Sequence, residues 1–231
     1  MAGTARDRDL MLQAVLVALT ITTGLIDAVS VLGLGRVFTA NMTGNIVFLG
    51  FAIAGAPGFS PARSVTAIAA FLAGAIVGGR LGLRLDASRQ RWLLVVFLVE
   101  SSLLFAAALV ARGYDRVTLM PVAQLYSVIA ATALAMGVRN ATVRRLAVPD
   151  LTTTVLTLTL AGLGADSSIA GGSNPRVRRR ITSVAAMLGG AIVGGFLVLR
   201  GGVGLPLALA GAITLIATIV YVAGPLQESA T

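Results

Sequence analysis

The 231-residue chain contains no cysteine, no histidine and no lysine. Without cysteine no disulfide can form, and without cysteine or histidine the soft-ligand metal sites are excluded. No metal site and no cofactor is expected. Acidic residues number only nine, and aromatic residues make up 5% of the chain. Charged residues make up 12%, about half the share usual in soluble domains. A chain this poor in charge cannot cover a water-facing surface. What it has instead is apolar: 57% of residues are hydrophobic, and the mean hydropathy is +0.93. Lipid is the solvent that suits such a chain.

Its basic charge comes from 18 arginines, for a net charge of +9. Basic proteins often bind phosphate backbones. Here the arginines lie between apolar segments, where membrane-flanking charges belong. Membrane lipid is therefore the expected partner, and nucleic acid is not. No serine or cysteine triad, lysine-bearing phosphate loop or metalloprotease helix can be read. No catalytic residue is assigned, and the chain does not read as an enzyme.

Eight apolar segments follow one another at about residues 10–34, 39–56, 64–81, 92–111, 119–137, 151–165, 181–199 and 205–223. Six are long enough to span as helices. The segments at 39–56 and 151–165 are the exceptions, one opening on Asn41, Thr43 and Asn45, the other short. The first segment is too long for the apolar core of a signal peptide and is flanked by mixed charge at Arg6–Asp9, so it is read as a structural helix.

The halves resemble each other. Leu72–Gly79 reads LAGAIVGG and Leu188–Gly195 reads LGGAIVGG, at an offset of 116. Gly24, Asp27 and Ala28 correspond to Gly137, Asn140 and Ala141 at an offset of 113. Thr39 and Ala40 then fall on Thr152 and Thr153, and Met42-Thr43 on Leu156-Thr157. The chain is thus one membrane domain, residues 1–231, with repeats at about 10–111 and 119–223.

Arginine counting decides how many segments cross. If all eight do, each side carries nine arginines and the positive-inside rule has nothing to work on. If 39–56 and 151–165 enter and leave on one side, the count changes. Arg6, Arg8, Arg80, Arg84, Arg89, Arg91, Arg139, Arg144, Arg145, Arg176, Arg178, Arg179 and Arg180 fall inside, thirteen in all. Arg36, Arg63, Arg112, Arg116 and Arg200 fall outside. This asymmetry selects an all-α integral membrane protein with six transmembrane helices and two partial or re-entrant ones. Three crossings per half make the second half an inverted copy of the first, a plan recurrent in transporters. Partial helices of this kind need protein or a watery cavity around them. The expected location is the bacterial inner (plasma) membrane, with N- and C-termini cytoplasmic.

The stretch Gly24–Gly50, GLIDAVSVLGLGRVFTANMTGNIVFLG, resembles the signature of the YoaK family of multi-pass bacterial membrane proteins. Asp27-Ala28, Gly35, the run FTANMTGN at Phe38–Asn45 and Gly50 carry the likeness. Gly137–Thr157 is similar to a second signature through Asn140-Ala141, Arg144-Arg145 and the threonines. Leu158 stands where the family usually has glycine, and Arg139 where glutamine is common. The resemblance implies membrane location and names no substrate.

Several residues could carry chemistry. Asp27 is a carboxylate inside an apolar helix, costly unless paired, protonated or wet. It reads as a coupling or cation-binding group, or as half of a structural pair with Arg36 or Arg139. Glu100, mid-segment, could exchange protons or brace a Ser or Thr on another helix; its repeat counterpart at an offset of 114 is Thr214. Asn41, Thr43 and Asn45, with Asn140 and Thr157 in the second half, could line a pathway for a small solute or ion. They could equally only satisfy a broken helix end. The pathway is expected where 39–56 and 151–165 approach each other at midplane. Gly74, Gly78, Gly190 and Gly194 form two GxxxG motifs that mark close helix packing. The contact is either internal, between 64–81 and 181–199, or a homodimer face. The reading is a small transporter or channel-like permease, proton- or cation-coupled. Its rival is a non-transporting structural or stress-related membrane protein.

Overall fold

A computed structural model describes residues 2–85, 87–148, 153 and 156–223, with side chains described from Leu10 onward in the first helix. Among the described residues, six long helices are apolar enough to cross a membrane. They are α1 (Ala2–Gly33), α3 (Pro61–Arg84), α4 (Arg89–Val110), α5 (Val122–Leu146), α7 (Val177–Gly201) and α8 (Gly204–Ala223). Two are short: α2 (Met42–Ile53) and α6 (Thr157–Ala165). At 1.5 Å per residue they reach only about 18 and 14 Å, against a hydrocarbon core of about 30 Å.

Contacts between helix ends give the course of the chain. At one end of the bundle Tyr114, just past α4, donates its hydroxyl to Gly33 O at the end of α1 (2.9 Å). Arg116 donates to Leu199 O at the end of α7 (3.1 Å). Arg63, in the first turn of α3, lies against Gly35 and donates to Gly58 O (2.8 Å). The chain therefore leaves α1 and enters α3 at the same end, and α2 makes an excursion without crossing. At the other end, Leu12, Val15, Leu16 and Leu19 of α1 pack with Trp92 and Leu93 of α4, Val138 and Val143 of α5 and Tyr221 of α8. Consequently α1 and α5 run in opposite directions, as do α4 and α8, and the two halves are inverted. Twelve arginines lie toward the α1 N-terminal end and five toward the Tyr114 end. Arg139 is removed from the count of flanking charges, because it is fully buried mid-bundle.

Two crossings hold the bundle together. On α3, a Cβ at Gly78 would lie 2.8 Å from Val138 O of α5, and Gly74 sits directly on Leu134 O. On α7, Gly190 sits on Ile21 O of α1, and a Cβ at Gly194 would lie 2.9 Å from Leu25 Cα. The partner helices answer with glycines of their own: a Cβ at Gly137 would be 2.8 Å from Ala75 N, and one at Gly24 would be 2.6 Å from Ala191 N. Each contact has its counterpart at the offsets of 113 and 116. The GxxxG motifs thus pack α3 on α5 and α7 on α1. The expected contact between 64–81 and 181–199 is not the one they make. Small residues let backbones approach where lipid offers no hydrophobic drive for association.

Several helix limits differ from the sequence reading, those of α5 most instructively. Helix α5 starts at Val122 rather than 119, because Pro121 sits at its N-cap and lacks an amide for the ladder. It continues past 137 to Leu146, where Arg144 and Arg145 complement the C-terminal dipole. Of the second-half threonines, Thr152 and Thr154 lie outside the described residues; Thr153 is buried.

Candidate functional site

The hydrophobic interior is in two parts. One cluster gathers Leu25, Ile26, Val29, Leu104, Met136 and Leu207 toward the Tyr114 end. The other gathers Leu19, Phe97 and Val138 toward the arginine-rich end. A polar layer lies between them, on residues from four helices: Thr23 of α1, Glu100 of α4, Arg139 of α5 and Thr214 of α8.

Arg139 is its centre. The guanidinium ion-pairs with Glu100 Oε1 through Nη2, and Nε donates to the same oxygen at 3.0 Å. Nη1 donates to Leu19 O at 2.8 Å and to Thr23 Oγ1 at 2.9 Å. Nη2 also reaches Thr214 Oγ1 at 3.4 Å, and Thr214 donates to Glu100 Oε1 at 3.3 Å. Arg139, Glu100 and Thr214 are all fully buried. A guanidinium at this depth is tolerable because its donors are paired in a planar fork. Hydropathy reading placed Arg139 among the flanking charges. Its signal in the sequence was the presence of Glu100 in an otherwise apolar segment, which requires a cationic or hydroxylic partner.

Asp27 is the second acid of this region. It is on α1, one helical turn beyond Thr23, so the two side chains lie on adjoining parts of one face. Arg139 is the charged group that acts on it electrostatically. No direct ion pair joins them, and Arg36 instead lies over the Phe59 ring (5.6 Å) at the end of the bundle. Asp27 Oδ1 is buried with no hydrogen-bond partner, as is Glu100 Oε2. The structural pair envisaged for Asp27 is therefore made by Glu100. The brace envisaged for Glu100 is also present, since Thr214 supplies a hydroxyl. Asn140, the counterpart of Asp27, donates to Met136 O within its own helix (2.8 Å).

The FTANMTGN run builds the entrance to α2. Asn41 Oδ1 accepts from Gly44 N (3.3 Å) and caps the helix. Asn45 clamps Phe38 from both sides, accepting from its amide (2.8 Å) and donating to its carbonyl (2.5 Å). Gly44 makes room for the Phe38 ring, which stacks on Phe48 at 5.4 Å. Asn41 and Asn45 therefore serve the backbone, and Thr43 and Thr157 are exposed on first helical turns. Helix α2 packs on α3 and α6 packs on α7, with no α2–α6 pair among the packed helices. The midplane meeting of the two partial helices expected from sequence is not formed. The structure relates Glu100 and Asp27 through Arg139, which ion-pairs with the first and acts electrostatically on the second, while Asn41 and Asn45 serve the start of α2 and Thr43 and Thr157 are exposed.

In the loop after α4, Asp115 accepts from Val117 N and from the Thr118 hydroxyl, both at 2.8 Å. These bonds, the Val117 amide foremost, hold its carboxyl below the usual range. Burial pushes the Tyr114 phenol up to about 12, against an opposing pull from Arg63.

Residues 15–220 match the family described as "Protein of unknown function (DUF1275)". A transmembrane protein of Bacillus subtilis (strain 168), "UPF0700 transmembrane protein YoaK", is 34% identical over 155 residues, covering 65% of this chain. The matched part spans 64% of that relative's length. No solved structure matches. With a family match over most of the chain, and the relative's name echoing the Gly24–Gly50 signature, the chain belongs to the DUF1275, or YoaK, family of multi-pass membrane proteins.

Proposed function

We propose that this protein is a small inner-membrane transporter or channel-like permease, coupled to a proton or a cation. One observation carries the reading: the interior holds two carboxyl groups against one guanidinium. Glu100 is engaged by Arg139, and Asp27 keeps a buried oxygen without a hydrogen-bond donor. An acid in that position needs a proton or a cation to be stable in a bilayer. Taking up and releasing that partner is the elementary act of a coupled transporter. The inverted arrangement of the halves supports the same reading, because it offers two related conformations with exchanged ends. The excess of arginine at the α1 N-terminal end favours the cytoplasm for that face and for both termini.

The rival, a non-transporting structural or stress-related membrane protein, is favoured by one feature. Arg139 bonds three other helices and would serve well as a fixed strut. Liposomes loaded with a pH-sensitive dye separate the two. The coupled reading expects wild-type protein to move protons or a screened solute in a pH-dependent way. It also expects Asp27→Asn to abolish that movement while remaining folded. Flux with unchanged pH dependence in Asp27→Asn ends the coupling reading. No flux from wild type across the screen favours the strut.

A further inference from the structure

Hydrogen-bond counting across the polar layer shows how its charges are shared. An arginine has five N–H donors. In Arg139, Nε and one Nη2 donor go to Glu100 Oε1, and the other Nη2 donor goes to Thr214 Oγ1. The two Nη1 donors go to Leu19 O and Thr23 Oγ1, neutral acceptors on α1. Both bonds to Glu100 fall on one oxygen, so Oε2 is enclosed without a donor, as Asp27 Oδ1 is. The two acids differ in access. Glu100 is wholly buried, whereas Asp27 is the one residue from Thr22 to Ser30 that is partly open. Apart from Asp27, Glu100 and Arg139, the six long helices carry charge only near their ends. Two carboxylates against one guanidinium leave the interior net negative, and one proton brings it to zero.

We propose that Asp27, Arg139 and Glu100 form a single proton-binding site, in which either acid holds the proton and Arg139 pairs with the other. The inference rests on the coupled-transport reading and narrows its ion to a proton. A proton on coupled acids belongs to the pair rather than to one residue. With Arg139 on Glu100, Asp27 holds it. In the alternative state the proton has passed from Asp27 to Glu100 Oε2: one O–H bond breaks, one forms, and Nη1 leaves Thr23 for the Asp27 carboxylate one turn away. The three groups stay neutral together in both states. A metal cation fits poorly, because it needs several oxygen ligands at once. The nearby hydroxyls are turned to α1 carbonyls, Thr23 to Leu19 O and Ser30 to Asp27 O, both at 3.0 Å. The charge of Arg139 also acts on Asp27 and opposes a second cation there. A proton needs one lone pair, and Asp27 Oδ1 and Glu100 Oε2 each supply one.

Infrared spectroscopy of the full chain in phosphatidylcholine bilayers, read at the protonated-carboxyl stretch at neutral pH, tests this without flux. Differences between variant and wild type isolate the two acids. Wild type should show one protonated carboxyl that Asp27→Asn removes. Glu100→Gln should remove it as well, because the guanidinium then draws the proton off Asp27. Arg139→Gln should add a second, since a buried carboxyl without a counter-charge keeps its proton. Thr23→Val frees an Nη1 donor for Asp27 and should weaken the signal, which provides the test if Glu100→Gln does not fold. An Asp27 signal that persists undiminished in Glu100→Gln, or in Thr23→Val where the first variant does not fold, overturns the proposal. So does a wild type without the signal, or one whose signal is abolished by sodium or potassium chloride at constant pH and not by choline chloride. Liposomes without flux, together with the expected spectra, remove the transport reading and leave the proton site. Flux that depends on Asp27, together with an unchanged signal in Glu100→Gln, does the reverse.

Discussion

Glu100 and Thr214 occupy corresponding positions in the two halves and hydrogen-bond to each other at 3.3 Å in the middle of the bundle. Residues that touch their own counterparts lie where the two inverted halves meet. Two glutamates there would repel each other, and two threonines would leave Arg139 without a counter-charge. The difference between the copies at this point sets the charge balance of the interior: one ion pair, and Asp27 outside it.

Breaking that pair from either side should be costly. Glu100→Gln and Arg139→Gln should each destabilise the protein by roughly 3–5 kcal/mol, because each strands a buried polar or charged partner. The double variant should recover most of the loss, since two neutral amides need no counter-charge. Thermal unfolding of all four proteins in detergent checks this. Additive losses would show that the pair is not coupled.

Neighbouring glycines provide matched tests of the helix crossings. Gly190→Ala should cost about 1–3 kcal/mol, because its new methyl meets the Ile21 carbonyl. Gly189→Ala, with open space around it, should stabilise α7 by about 0.5–1 kcal/mol. The pair Gly78→Ala and Gly79→Ala should behave in the same way. A thermal-shift comparison in which both members of a pair lose equally would contradict the crossing geometry.

Sidedness can be tested without background labelling, since the chain has no cysteine of its own. Cysteines replacing Arg84 and Arg178 should be shielded from an impermeant thiol reagent applied to cells with an opened outer barrier. One replacing Asp115 should react. Labelling at position 84 from outside would reverse the proposed orientation.

Tyr114 predicts a pH dependence. Its phenol is pushed up to about 12 from an ordinary 10, so the folded state holds this proton more tightly than the unfolded one. The contribution is complete below pH 10 and lost as pH rises through 12. Stability should fall in that window, and Tyr114→Phe should lack this part of the slope. The variant should also lose about 1 kcal/mol at neutral pH with the bond to Gly33 O. An identical alkaline slope in Tyr114→Phe would dismiss the assignment.

Apolar run length and arginine asymmetry specified the six crossings, because transfer of backbone and charge into lipid dominates every other term. The two glycine repeats were equally visible, since a missing Cβ is a property of the residue itself. FTANMTGN announced a helix start, and Asn41 is its cap. Which helices the glycines join, however, depends on the folded arrangement, and α3 and α7 each found the first helix of the opposite half. The same is true of Arg139. Local hydropathy treats an arginine near a helix end as an anchor at the membrane surface. Only the packing of α4 against α5 sets a carboxylate 39 residues away beside its guanidinium, supplying the charge that makes burial tolerable. One-dimensional signals record what each residue costs in lipid; the partner that offsets that cost is chosen by the tertiary structure.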